Sequence, residues 1–136
     1  QSYGAGCRGT AGTPVLGQYL NVRPVVGSTF VMLLSSLPAQ GAISAWIGGS
    51  RTRWNATNLP LDLGVIGMPG CDLLAAPNIP LTVQNRGGAA VWSLPIPNSS
   101  QLVGGRFYAQ ALILDPGANT FGAVMTNGGE ATIGSR

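Results

Sequence analysis

Histidine and lysine are both absent from this 136-residue chain, and charge of either sign is scarce. Without imidazole there can be no Ser-His-Asp triad, no Cys-His pair and no histidine ligand for a transition metal. Without lysine there is no Schiff-base chemistry and no phosphate-loop cation. No apolar run approaches the ~18 residues that a membrane-spanning helix requires. Nor does any long window set leucine and glutamate at helical spacing.

The acids are Asp62, Asp72, Asp115 and Glu130. No spacing singles out a pair for glycoside hydrolysis, and each has a turn or strand-end role to fill. Asp115 opens Asp-Pro-Gly, Asp72 follows a cysteine, and Glu130 leaves Gly-Gly. Calcium held by Asp115 and Asn119 would rest on one carboxylate and one amide, and turn formation accounts for both residues better. The sequence therefore predicts no enzyme, no cofactor and no metal site.

Charged residues make up 8% of the chain, against about 25% in an ordinary soluble domain. A surface this poor in charge lacks the repulsion that keeps monomers apart, so polar side chains or another molecule must cover it. The net charge of +3 comes from Arg8, Arg23, Arg51, Arg53, Arg86, Arg106 and Arg136. Apart from Arg51 and Arg53 these are scattered, unlike the clustered cations of a nucleic-acid surface.

Against those absences stand 21 glycines, 10 prolines and a hydrophobic share of 45%. That mixture suits short strands joined by tight turns. After a Gly-rich arm over residues 1–14, apolar segments occupy 15–20, 29–34, 42–47, 59–63, 71–75, 81–84, 89–94, 106–114, 122–126 and 130–133. Asn85-Arg86-Gly87-Gly88 predicts a four-residue hairpin, and Asn127-Gly128-Gly129 predicts a tight one built on positive φ. The spacing describes one all-β domain over residues 1–136, a single antiparallel β-sandwich of jelly-roll or immunoglobulin-like form.

Strand faces add detail. Phe107, Ala109, Ala111 and Ile113 share one face of 106–114, while Arg106, Tyr108, Gln110, Leu112 and Leu114 share the other. Phe30, Met32 and Leu34 likewise oppose Val31 and Leu33. A partly apolar second face marks Tyr108, Leu112, Leu114, Val31 and Leu33 as candidates for self-association, with a loop folded over the sheet as the alternative. Trp92 alternates with Leu94 and reads as core. Trp46 lies out of phase with Ile43 and Ile47, so its ring is expected to face outward if theirs face inward. Trp54 sits in the polar stretch Arg51-Thr52-Arg53-Trp54-Asn55. Trp46, Trp54, Arg51, Arg53 and Asn55 are thus candidates for stacking and hydrogen-bonding a sugar, the alternative being that both indoles pack under loops.

Cys7 and Cys71 are the only cysteines. An even pair fits one disulfide in an oxidising compartment, and two reduced core thiols remain the alternative. A start at Gln1 fits a mature product left by signal-peptide cleavage, or an excised piece. Asn55-Ala56-Thr57 and Asn98-Ser99-Ser100 match the glycosylation pattern.

Several motifs go together: Leu59-Pro60-Leu61-Asp62-Leu63-Gly64 with Gly67-Met68-Pro69-Gly70-Cys71, then Leu94-Pro95-Ile96-Pro97-Asn98, Phe107-Tyr108-Ala109-Gln110-Ala111 and Asp115-Pro116-Gly117-Ala118-Asn119. Tyr3-Gly4-Ala5-Gly6-Cys7 at the start and Thr126-Asn127-Gly128 with Ile133-Gly134 at the end complete the set. Together they resemble a C-terminal β-sandwich module of secreted proteins from environmental bacteria, over nearly the whole chain. The resemblance implies export and a paired Cys7–Cys71, and it carries over no catalytic residue. Here the module is expected to stand alone. The expectation is an extracellular, non-catalytic structural protein whose partners are copies of itself, assembling as a filament or surface layer. In that picture the 1–14 arm adds to a neighbour's sheet edge. A carbohydrate-binding module, with polysaccharide as its partner, is the alternative.

Overall fold

The computed structural model describes residues 1–18 and 23–135. Its strands are β1 (Ser2–Tyr3), β2 (Val15–Gln18), β3 (Thr29–Ser35), β4 (Ile43–Gly48), β5 (Arg53–Trp54), β6 (Thr57–Asn58), β7 (Leu61–Asp62), β8 (Asp72–Leu73), β9 (Ile79–Val83), β10 (Ala90–Pro95), β11 (Arg106–Leu114), β12 (Ala123–Met125) and β13 (Gly128–Thr132). One sheet runs β1-β13-β11-β4-β9, with β12 also on β11, and a second runs β10-β3-β2. Two short hairpins, β5-β6 and β7-β8, stand apart. All these strand pairs are antiparallel, so the chain is all-β as the turn spacing predicted. Cys7 and Cys71 are joined, with Cα atoms 4.9 Å apart, which removes the two-thiol alternative. Tyr19 and Leu20, from the expected segment 15–20, and Arg136 lie outside the described residues.

Alternation decides what is buried. Phe30, Met32 and Leu34 of β3, Ala90 and Trp92 of β10, and Ala109, Ala111 and Ile113 of β11 all point into one hydrophobic cluster. Phe30 and Phe107, from different sheets, meet edge to face with centroids 6.0 Å apart. That geometry is the favoured one for two aromatic quadrupoles.

Both expected hairpins are corrected. Across Asn85–Gly88 the chain leaves β9 in the larger sheet and enters β10 in the smaller one. Asn85 holds that corner, donating through its side-chain amide to Pro38 O at 2.7 Å and Gly41 O at 2.9 Å and accepting from Gly88 N at 2.9 Å. At Asn127-Gly128 the chain does not turn back. Strands β12 and β13 both pair with β11, as two halves of one line. Leu112 opposes Met125 and Ala109 opposes Gly129. Three residues on one side therefore face two on the other, which is a β-bulge. Neither Asn127 nor Gly128 has positive φ. Gly128 is small for another reason: a Cβ there would overlap the Tyr3 ring.

The bulge frees Asn127 to reach the other sheet. Its side-chain oxygen accepts Leu16 N at 2.9 Å, and its amide donates to Leu16 O at 3.0 Å. One primary amide thus satisfies both outward backbone groups of Leu16. The 1–14 arm is also held within the chain. Ser2 and Tyr3 pair with Gly129 and Gly128, Cys7 is tied to Cys71, and Thr10 donates its N–H to Asp115 at 2.8 Å. Strand β1 of the arm occupies an edge of its own sheet.

Candidate functional site

Two faces decide what this chain can offer a partner. The first is the face of the larger sheet that carries Trp46 and Gln110, which are register partners on β4 and β11. Trp46 does lie opposite Ile43 and Ala45, yet it is buried. The segment after Cys71, including Leu73, Leu74, Ala75 and Ala76, is buried as well and lies across this face like a strap. Trp46 Nε1 donates to Ala75 O at 2.9 Å. Gln110 Oε1 accepts from Leu74 N at 2.8 Å, and its Nε2 donates to Asp72 O and Thr126 O, both at 2.9 Å. Gly48 lets the strap approach, since a Cβ there would overlap the Ala76 carbonyl. The outward orientation expected for Trp46 is therefore corrected. A loop does fold over the sheet, and it takes the indole away from any surface that could stack a sugar.

At one border of the strap the Tyr3 hydroxyl donates to Leu74 O at 2.8 Å. The Arg51 guanidinium lies 3.7 Å above the Tyr3 ring and 3.3 Å from Glu130 Oε1. Tyr108 meets Tyr3 edge-on, with centroids 6.3 Å apart. Burial pushes the Tyr3 hydroxyl up to about 12, with Arg51 opposing and Tyr108 and Glu130 adding to the rise. The folded state thus holds the Tyr3 proton more tightly than the unfolded chain, whose tyrosine titrates near 10. The associated stability is complete below pH ~10 and is lost as pH rises towards 12. Urea midpoints measured through this window should fall, and the fall should be shallower in Tyr3→Phe, which cannot ionise.

The other sugar-site candidates are dispersed. Trp54 packs partly buried against the core at the end of β5, while Arg53 and Asn55 are exposed. Asn55, at φ 54°, forms the tip of the β5-β6 hairpin, within the polar stretch 51–55. Arg51 is committed to Tyr3 and Glu130. Among the self-association candidates, Tyr108 and Leu112 are half-buried on the strapped sheet, and Leu114 is exposed.

Three of the acids, Asp115, Asp62 and Glu130, have structural partners. Asp115 is buried and accepts both the backbone N–H and the hydroxyl of Thr10. Asp62 accepts Gly64 N at 2.8 Å. Asn119 spends its amide on Gly122 N, Ala123 N and Ala123 O, so the Asp115–Asn119 loop is closed on itself. Among the described residues no three His, Cys, Asp or Glu side chains gather as a metal site would require, and no helix is long and apolar enough to cross a membrane. A gap between the sheets beside Leu16, Phe30 and Phe107 measures about 30 Å³, room for a water rather than a ring. A shallow hollow of about 400 Å³ is lined by Pro38, Gln40, Gly41, Ala42, Leu114 and Pro116, with no ionisable group.

The second face is the outer side of β10-β3-β2. Opposite the buried Phe30, Met32 and Leu34 lie Val31 and Leu33, each half-buried. Leu33 is flanked by Gly17 on β2 and Val91 on β10, and Val31 by Ser93. Val15 and Val91 are 45% and 54% exposed. Among the described residues of these three strands no side chain ionises. Sequence periodicity located Val31 and Leu33. It missed Val15 and Val91, because single valines in short segments carry no periodic signal. No protein family, curated protein or solved structure matches the chain.

Proposed function

We propose that this chain is an extracellular, non-catalytic structural subunit that associates with copies of itself, with its two main sheets closed as one β-sandwich. The outer face of β10-β3-β2 carries this reading: Val15, Val31, Leu33 and Val91 lie together with no charge among them. The described residues of β2, β3 and β10 include no charged side chain, in a chain that has few. Apolar faces of this kind, flat and uncharged, are the ones that pack against another protein. A second copy supplies a partner with the same shape and no repulsion. The Cys7–Cys71 bond is compatible with an oxidising, extracellular setting, and the module resemblance points the same way.

Sedimentation of the purified chain from micromolar to millimolar concentration tests the proposal. Species larger than the monomer are expected, and Leu33→Lys, which puts a cation at the centre of the face, should shift assembly of the largest of them to higher concentration by more than about tenfold. A wild-type monomer throughout the range would end the self-association reading.

A further inference from the structure

The face alone is small. Three strands about 4.8 Å apart, of four, seven and six residues, present only about 300 Å², well short of the ~800 Å² per partner typical of a stable interface. A second contact is needed, and the sheet edges show where it can form.

Backbone ladders identify which groups each edge strand leaves open. Leu114 N donates to Ala42 O, which places the even-numbered residues of β4 in bonded pairs with β11. The odd-numbered ones then bond to β9, and Pro80 and Thr82 of β9 face outward. Pro80 has no N–H, so that edge is blunted. On β2, the outward groups of Leu16 are taken by Asn127. Strand β1 is two residues long.

Strand β10 differs from all three. Ile96 N donates to Ser28 O, in line with the β10-β3 register. The even-numbered residues of β10 therefore bond to β3, and Val91 and Ser93 aim both N–H and C=O at the free edge. Within Ala90–Pro95 there is no charged side chain, no bulge and no proline before the last position. Val91 and Ser93 are exposed, and among the described residues nothing pairs with their edge.

We infer that β10 is an association edge, and that it pairs antiparallel with β10 of a second copy about a twofold axis at Trp92. This rests on the self-association proposed above. In that register Val91 faces Ser93 of the second copy and Ser93 faces its Val91, which completes four backbone hydrogen bonds. The axis stands perpendicular to the sheet, so the two outer faces lie on the same side. They merge into one uncharged surface of about 600 Å² across six strands, able to stack on another such pair. A copy is favoured over a foreign strand because the edge is self-complementary under this axis and brings no charge against charge.

Val91→Pro tests the edge directly. It removes an N–H that the folded chain does not use, and it leaves the bonds to β3 intact. The variant should keep the wild-type melting temperature and lose the larger species at concentrations where wild type is assembled. In wild type, assembly should slow exchange of the Val91 and Ser93 amide protons on the order of tenfold or more. Ser93→Pro provides the same test should Val91→Pro not fold. Leu33→Lys should leave two-copy edge pairs that do not stack further. If a folded Val91→Pro assembles like wild type, or both amides exchange equally fast in monomer and assembly, the edge is wrong while self-association stands. If wild type itself never leaves the monomer, both fall. Binding of an extended peptide along β10 in place of a copy would also overturn the inference.

Discussion

Replacing Cys7 and Cys71 together by serine is expected to lower the unfolding free energy by about 4 kcal/mol, read from urea denaturation under non-reducing conditions. The bond spans a separation of 64 residues, and the unfolded chain gains the entropy of that long loop when it is cut. The native state loses something too. Cys7 belongs to the arm, and Cys71 opens the strap that covers Trp46 and Gln110. Met125 N donates to Cys7 Sγ at 3.1 Å, so the arm would also loosen from β12. Amide exchange in 72–76 and in 7–10 should accelerate before global unfolding in the variant. A loss under about 1 kcal/mol would mean that packing alone fixes the strap.

Gln110→Leu is expected to cost about 3 kcal/mol or more, because buried donors and acceptors without partners cost roughly 1–3 kcal/mol each. Gln110 is 0% exposed and serves Leu74 N, Asp72 O and Thr126 O. Leucine fills a similar volume, so packing changes little and the loss isolates the hydrogen bonds. Gln110→Glu keeps the acceptor but replaces the donor with a buried carboxylate. It should be less stable than Gln110→Leu at neutral pH and should recover as pH falls and the acid is protonated. Equal stability of wild type and Gln110→Leu would show that the strap finds water or new partners.

The sequence located strands well where alternation ran long. Segment 106–114 is β11 to the residue, and 29–34 differs from β3 only by Ser35. Trp92 is core because it shares a phase with Ala90. Four things were not legible, for separate reasons. Asn127-Gly128 carries the strongest local hairpin chemistry in the chain, yet a bulge uses the same residues to place one amide on Leu16 and one bare Cα under Tyr3. Asn85-Arg86-Gly87-Gly88 is a real turn, but turn residues do not say whether the next strand stays in the same sheet. Trp46 was assigned to the correct face of β4, and no local pattern could reveal that 71–76, some thirty residues on, would cover it. The unprotected edge of β10 shows only in three dimensions, because it follows from which alternate residues β3 claims.

Three long-range polar clips of this fold, Asn85, Gln110 and Asn127, are neutral amides. Salt and moderate acid leave these three clips untouched, since an amide neither attracts counterions nor titrates there. Their weakness is age: slow hydrolysis of such an amide releases ammonia and leaves a carboxylate where the fold needs a donor, so these clips fail with elapsed time and heat.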